Sequence, residues 1–277
     1  MAVPSSRELT PSTFVERLTL PIWQATAAVR WLEGRVRNRP KLTELRPEKA
    51  ALTDADCVSQ EILLVALREA FPDVGLYVEE DTPSVEEFAN GGDPEAAYVV
   101  LIDPIDGTLR FLRGDGPYAI LVGLERRGLV EAALVGLPKS RLLLRAVRGK
   151  GAEIASAGGA FEPLRASPPG ARVLVSYGLP DPVRSAFAVQ GLQPRVAAGG
   201  AIGVAPLLDE TLGGLRLAAT SDGLSRRAWV AALPLLEAGG RIEALDGSFP
   251  ERYEPGVMGL LTANTEADLA RLRTLLG

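Results

Sequence analysis

The chain has 277 residues, 47% of them hydrophobic, with 30 lysines and arginines against 35 acids, a formal net charge of −5, no histidine and one cysteine. That length and apolar content support a buried core without staples, the charge gives no basic excess for nucleic acid, and the lone Cys57 excludes an internal disulfide. Lack of histidine excludes Ser-His-Asp and Cys-His hydrolysis, histidine-rich zinc sites and phosphohistidine chemistry, and leaves carboxylates with hard, oxygen-binding ions such as Mg²⁺.

The first residues, MAVPSSREL, lack a basic stretch followed by an apolar one, and no apolar run is long enough to cross a bilayer. A soluble cytoplasmic protein is expected, with neither membrane nor nucleic acid as partner. Ile22, Ala25, Val29, Leu32 and Val36 mark one helical face, with Pro21 in that helix's first turn. The basic segment 35–41 reads as a solvated helix end. A second helix is expected over 56–70, with Val58, Ile62, Val65, Ala66 and Leu67 as its apolar side and Phe71-Pro72 as its stop. Thr53, Asp54 and Asp56 before it read as an N-cap. A short strand over 75–78 runs into Glu79, Glu80 and Asp81, acids that by themselves read as solvated loop charges.

Gly91, Gly92 and Pro94 mark a loop before the segment with the most chemistry, YVVLIDPIDGTLRF over 98–111. Its apolar start reads as a buried strand. Asp103 and Asp106 then stand three residues apart, with Pro104 to stiffen the turn and Gly107 to let a ligand approach the backbone. The residues after Gly107 read as a helix start with Thr108 near the cap, where free N–H groups can meet a phosphate. Divalent metal on the carboxylates and phosphate on the helix end is the resulting hypothesis.

Apolar runs over 118–124, 129–136 and 142–147 form an antiparallel meander. Gly158-Gly159 and Pro168-Pro169 mark a crossing, followed by short strands at 173–175, 196–197 and 215–219 that alternate with helical stretches.

Taken together, LTDAD (52–56), YVEED (77–81), LIDPIDGTLRF (101–111), LLLRAVRGKGA (142–152), GGAI (199–202) and RAWVAALPLLEAGG (227–240) resemble, in order and spacing, the motifs of the inositol monophosphatase-like family of Mg²⁺-dependent, lithium-sensitive sugar and nucleotide phosphatases. The likeness runs from about residue 20 onward. It implies a combined α+β and α/β fold, a layered αβαβα sandwich. An N-terminal half (1–165) would carry the meander and the metal site, and an α/β C-terminal half (166–277) would complete the substrate pocket, the two forming one compact unit.

Carried over by position, the resemblance implies that Glu79, Asp103 and the Ile105 carbonyl hold one ion and that Asp103 and Asp106 hold a second. The ion is Mg²⁺, with Mn²⁺ as the alternative and lithium as an inhibitor. Thr108, backed by Asp56, would orient and help deprotonate the attacking water, so Asp56, Glu79 and Thr108 are the expected catalytic residues. Asp106, Gly107, Thr108, Gly199, Ala201 and Asp222 are expected to meet the substrate, a small phosphorylated metabolite such as an inositol monophosphate, sugar phosphate or nucleotide phosphate. A homodimer is the common assembly of such proteins. The resemblance fails at one ligand: the family's Trp-Asp pair is read here as Trp229-Val230, and valine binds no metal. Pro234, four residues on, cannot donate to the Val230 carbonyl, and Asp222 is a candidate substitute ligand. Two functions follow: a metal-dependent phosphomonoesterase, or an impaired relative that binds phosphate ligands or regulates.

Overall fold

A computed structural model describes residues 8–42, 44, 47–88, 96–166, 170–208 and 211–276. The expected loops at Gly91, Gly92 and Pro94 and at Pro168-Pro169 lie outside the described residues.

Helix α1 (Pro11–Leu32) starts ten residues before Pro21, because Thr10 and Thr13 form a reciprocal cap, each hydroxyl accepting the other's backbone N–H at 3.1 and 2.9 Å. Pro21 is therefore inside the helix, where it leaves the Arg17 carbonyl without its usual donor, and not in the first turn. After a single turn, α2 (Pro47–Ala50), comes α3 (Asp54–Ala70), capped by Thr53 and ended at Phe71. Its buried face differs from the expected one. Asp56, Ser59 and Gln60 are buried together with Leu63, Leu64 and Leu67, whereas Val58 and Val65 are 41% and 47% exposed. The helix is turned so that three polar side chains reach the acid-bearing loops.

The first sheet has seven strands in sequence order: β1 (Gly75–Tyr77), β2 (Val99–Asp106), β3 (Ala119–Arg126), β4 (Leu129–Leu137), β5 (Leu142–Val147), β6 (Gly151–Ser156) and β7 (Glu162–Pro163). Only β1 and β2 are parallel; the rest is the expected meander, lengthened by β6 and β7. The second sheet has the order β11 (Arg241–Ala244), β12 (Gly259–Ala263), β10 (Thr211–Leu217), β8 (Arg172–Val175), β9 (Gln193–Val196). α4 (Thr108–Arg113) follows β2, α5 (Asp181–Val189) links β8 to β9, α6 (Gly199–Gly203) and α7 (Ala228–Glu237) flank β10, and α8 (Glu266–Thr274) ends the described chain.

Packing gives five layers. α1 and α3 cover one face of the first sheet; α6 and α7 lie between the two sheets; α5 and α8 cover the far face of the second. Strand β2 shows why its sequence is continuously apolar: Val100 and Ile102 enter the core under α1 and α3, while Val99 and Leu101 enter the core under α7. Both faces need hydrocarbon until the strand reaches Asp103.

Candidate active site

β2 continues through Pro104 because the ladder is interrupted there. Asp103 pairs with Leu121 and Asp106 with Ala119, so two residues, Pro104 and Ile105, stand against the single Ile120 and the strand bulges out of register. A bulge tolerates a proline, which has no N–H to donate. It also turns Asp103, the Ile105 carbonyl and Asp106 toward one cavity. Gly107 closes the turn at φ 100°, and a Cβ there would lie 2.3 Å from that of Ala198. Gly107, and not Thr108, is thus the N-cap of α4.

Helix α3 braces this turn from behind. The Thr108 hydroxyl lies 2.9 Å from Asp56 Oδ1 and 3.1 Å from the Ile105 carbonyl oxygen. Asp56 Oδ2 accepts the Thr53 N–H and hydroxyl, each at 2.7 Å. Asp56 is thus both the capping residue its sequence suggests and the partner of Thr108. Burial pushes its carboxyl up to about 6, against the pull of hydrogen bonds from Thr53 and Thr108. One turn on, the Ser59 hydroxyl donates to the Pro104 carbonyl at 2.9 Å. Gln60 donates to the Glu80 carbonyl at 2.6 Å and to the Thr82 hydroxyl at 2.9 Å, and accepts the Glu80 N–H at 3.1 Å.

A cavity of 640 Å³ opens over these groups. Of the expected site residues, Glu79, Asp103, Ile105, Asp106, Gly107, Thr108, Gly199 and Asp222 line it, and Asp56 stands behind Thr108. Ala201 does not: it is fully buried between α6 and the second sheet, and the neighbouring Gly200 instead donates its N–H to Asp106. Glu80 points away, buried, with its carboxylate 2.7 Å from Lys41 Nζ. Burial raises the Glu80 carboxyl and Lys41 opposes the rise.

The reading of Val230 as the residue facing the site is corrected by the helix packing. Val230 is fully buried under β3, so close that a Cβ on Gly123 would lie 2.6 Å from its Cγ2. Trp229 is likewise in the core, its indole N–H donating to the Pro250 carbonyl at 3.1 Å. The residue of this segment that reaches the acids is Arg227, the N-cap of α7. Its Nη2 lies 3.2 Å from Glu79 Oε2, its Nε 3.5 Å from Asp103 Oδ2, and its Nη1 donates to the Ile102 carbonyl at 3.4 Å. The guanidinium stacks 5.5 Å from the Tyr77 ring centroid. Burial alone would lower its pKa, but Glu79 and Asp103 outweigh that and raise it. Asp103 is raised well above the carboxylate range by burial first and then by Glu79, with Arg227 opposing.

Sequence reading missed Arg227, and also Arg216, whose guanidinium lies against Gly199 on the cavity wall. A signal for the first existed. Residues 228–235 are buried all round, and a helix with no polar face leaves a charged residue in its cap with only an interior partner to find.

The donor set fits a hard cation in part. Every candidate ligand is an oxygen, and Asp103 Oδ1 is buried without a hydrogen-bond partner, an acceptor that a cation would satisfy. On the Glu79 side the fit fails, since Arg227 and Lys41 stand 3.2 and 3.8 Å from that carboxylate. Among the described residues no three acids converge as a cation cluster.

Comparison with known proteins identifies the family and the fold. The sequence profile of the inositol monophosphatase family matches residues 21–195. The putative Nus factor SuhB of Neisseria meningitidis is 39% identical over 101 residues, 36% of each chain. The histidinol-phosphatase of Chlorobaculum parvum is 33% identical over 101 residues, again 36% of each. The chain thus spans about a third of the length of these curated relatives. Among solved structures, an IMPase/NADP phosphatase complexed with Mg²⁺ and phosphate superposes with a TM-score of 0.71 at 18% identity, covering 97% of both chains; that likeness is one of fold. No helix among the described residues is long and apolar enough to cross a membrane.

Proposed function

The chain belongs to the inositol monophosphatase family, and from that premise we propose that it is a phosphomonoesterase acting on a small phosphorylated metabolite. The observation that carries the reading is the hydrogen-bonded chain from Thr108 to Asp56 at the mouth of the bulge. The single Thr108 proton goes to Asp56 or to the Ile105 carbonyl, so the hydroxyl oxygen is free to accept from a water in the cavity. Asp56, with its pKa brought to about 6, is placed to take the proton as that water attacks phosphorus. The phosphoryl oxygens are received by Arg216 and Arg227 and by the first N–H groups of α4, and Asp222 across the cavity is available to the alcohol of the ester. Asp103, Asp106 and the Ile105 carbonyl are the groups that would hold a hard divalent cation, which supplies acidification of water and charge balance when bound.

A second reading rests on Arg227. A guanidinium between Glu79 and Asp103 also suits a protein that binds phosphate ligands without turning them over. Family membership alone, and no side chain described above, adds a cytoplasmic homodimer inhibited by lithium to the first reading. Phosphate release from inositol, fructose, glycerol, adenosine and histidinol phosphates, with Mg²⁺ or Mn²⁺ titrated, separates the two. Turnover above an Asp103→Asn control supports the enzyme. No turnover on any ester at any metal concentration leaves the binding protein.

A further inference from the structure

Four carboxylates line the cavity, Glu79, Asp103, Asp106 and Asp222, and three guanidiniums face them, Arg110, Arg216 and Arg227. Lys41 adds a fourth cation just behind Glu79, shared with Glu80. Arg110 pairs with Asp115 at 2.9 Å and Lys41 with Glu80 at 2.7 Å, so the cation that meets Glu79 and Asp103 directly is Arg227, in place before any ligand arrives. Oxygen-lined sites for divalent ions carry a carboxylate excess, because the ion's charge must be compensated. On the Glu79 side that compensation is already built into the chain, as Arg227.

Arg227 is not a loose surface cation that could swing aside. It is 15% exposed, held by two carboxylates and the Ile102 carbonyl, and stacked on Tyr77. Its Nε makes no hydrogen bond, its distance to Asp103 being 3.5 Å. Arg216 Nη1 is also buried without a hydrogen-bond partner, on the same wall. Two guanidiniums lining the cavity that Thr108 also lines form a fork suited to a tetrahedral oxyanion.

We infer that Arg227 is the resident cation of this site: its guanidinium stands where a divalent ion on Glu79 would stand, so the cavity takes a phosphate monoester by direct contact with Arg227 and Arg216, and at most one metal ion, on the Asp103–Asp106 side, can join it. This rests on the reading that the cavity receives a phosphorylated metabolite, but not on turnover.

The test uses the full chain stripped with EDTA, with inorganic phosphate and Mn²⁺ as probes. Calorimetry should detect phosphate binding to the stripped wild type, and Arg227→Met and Arg216→Met should each weaken it at least tenfold. Titration of Mn²⁺ followed by electron paramagnetic resonance should count no more than one ion per wild-type chain. Arg227→Asp should gain one ion; Arg227→Met, nearly the same length and neutral, serves the same purpose if the aspartate variant does not fold, by freeing Glu79. Two Mn²⁺ per wild-type chain, no phosphate binding without metal, or phosphate affinity indifferent to Arg227→Met overturns the inference. Failure of every ester to turn over would leave these readouts intact, and turnover with two bound ions would sink the inference while sparing the phosphatase.

Discussion

Asp56→Asn separates the two roles of the first turn of α3, because asparagine keeps the size of the side chain and removes its charge. In the folded protein the carboxyl is raised from 3.8 to about 6, so the native state holds this proton more tightly than the unfolded chain does. Between those values stability falls as pH rises: the contribution is complete below the unfolded value and gone above about pH 6. The whole displacement is worth about 3 kcal/mol, of which about 2 kcal/mol is lost between about pH 4.5 and about pH 7.5. Urea unfolding of both proteins at those two pH values measures it. Asp103 and Glu80 are also raised, but they titrate in both proteins, and since Glu80 is the smallest of the influences on Asp56, most of their contribution drops out of the difference. The wild type should lose about 2 kcal/mol more than the variant over this range. Turnover of the variant should meanwhile fall by about 10² or more, as for loss of a general base. Equal pH slopes for the two proteins would show that burial does not raise the Asp56 carboxyl toward neutral pH, and the assignment of a tuned base would go with it.

Gly107→Ala forces a Cβ to within 2.3 Å of that of Ala198 at a φ of 100°, and should cost about 1–3 kcal/mol in denaturant midpoint while weakening phosphate binding. Val230→Asp places a carboxylate under β3 against Gly123, away from the cavity, so it should destabilise the fold by about 3 kcal/mol or more without adding a Mn²⁺ site. Lys41→Met strands the buried Glu80 carboxylate and should lower stability at neutral pH by about 3 kcal/mol, whereas Arg39→Ala, which breaks an ion pair 70% and 51% exposed, should change it by less than about 1 kcal/mol; thermal unfolding of the two variants side by side compares them.

Much of this molecule is written in local patterns, and the rest depends on what packs against what. The β2 run, the Asp-Pro-Ile-Asp turn and the meander are legible because each uses backbone chemistry visible within a few residues. The Thr53–Asp56 cap is legible too, but its second use is not: only tertiary structure brings Thr108 to Asp56 across 52 positions. The apolar side assigned to α3 erred because Ser59 and Gln60 count as polar in a periodicity, yet they are inside, satisfied by Pro104 and Glu80. The choice of Val230 erred for a related reason. Trp229 is a conspicuous landmark, but it anchors the helix to Pro250 and Tyr253, and the residue that meets the acids, Arg227, lies two positions before it. The start of α1 was hidden by Pro21, whose usual place is a helix end; the reciprocal pair Thr10 and Thr13 decides the matter ten residues earlier.

The grip of α3 on two separate loops has a consequence for how such a site can change over time. Ser59 fixes the Pro104 turn and Gln60 fixes Glu80, so the spacing between the acids of β1 and those of β2 is set by one rigid helix. The cations come from the opposite side, Arg216 from β10 and Arg227 from the cap of α7, and neither is tied to α3. The pocket thus has one jaw braced by α3 and one that is not. A substitution at Arg216 or Arg227 therefore changes the charge that faces the acids without touching the hydrogen bonds by which α3 holds the carboxylate frame.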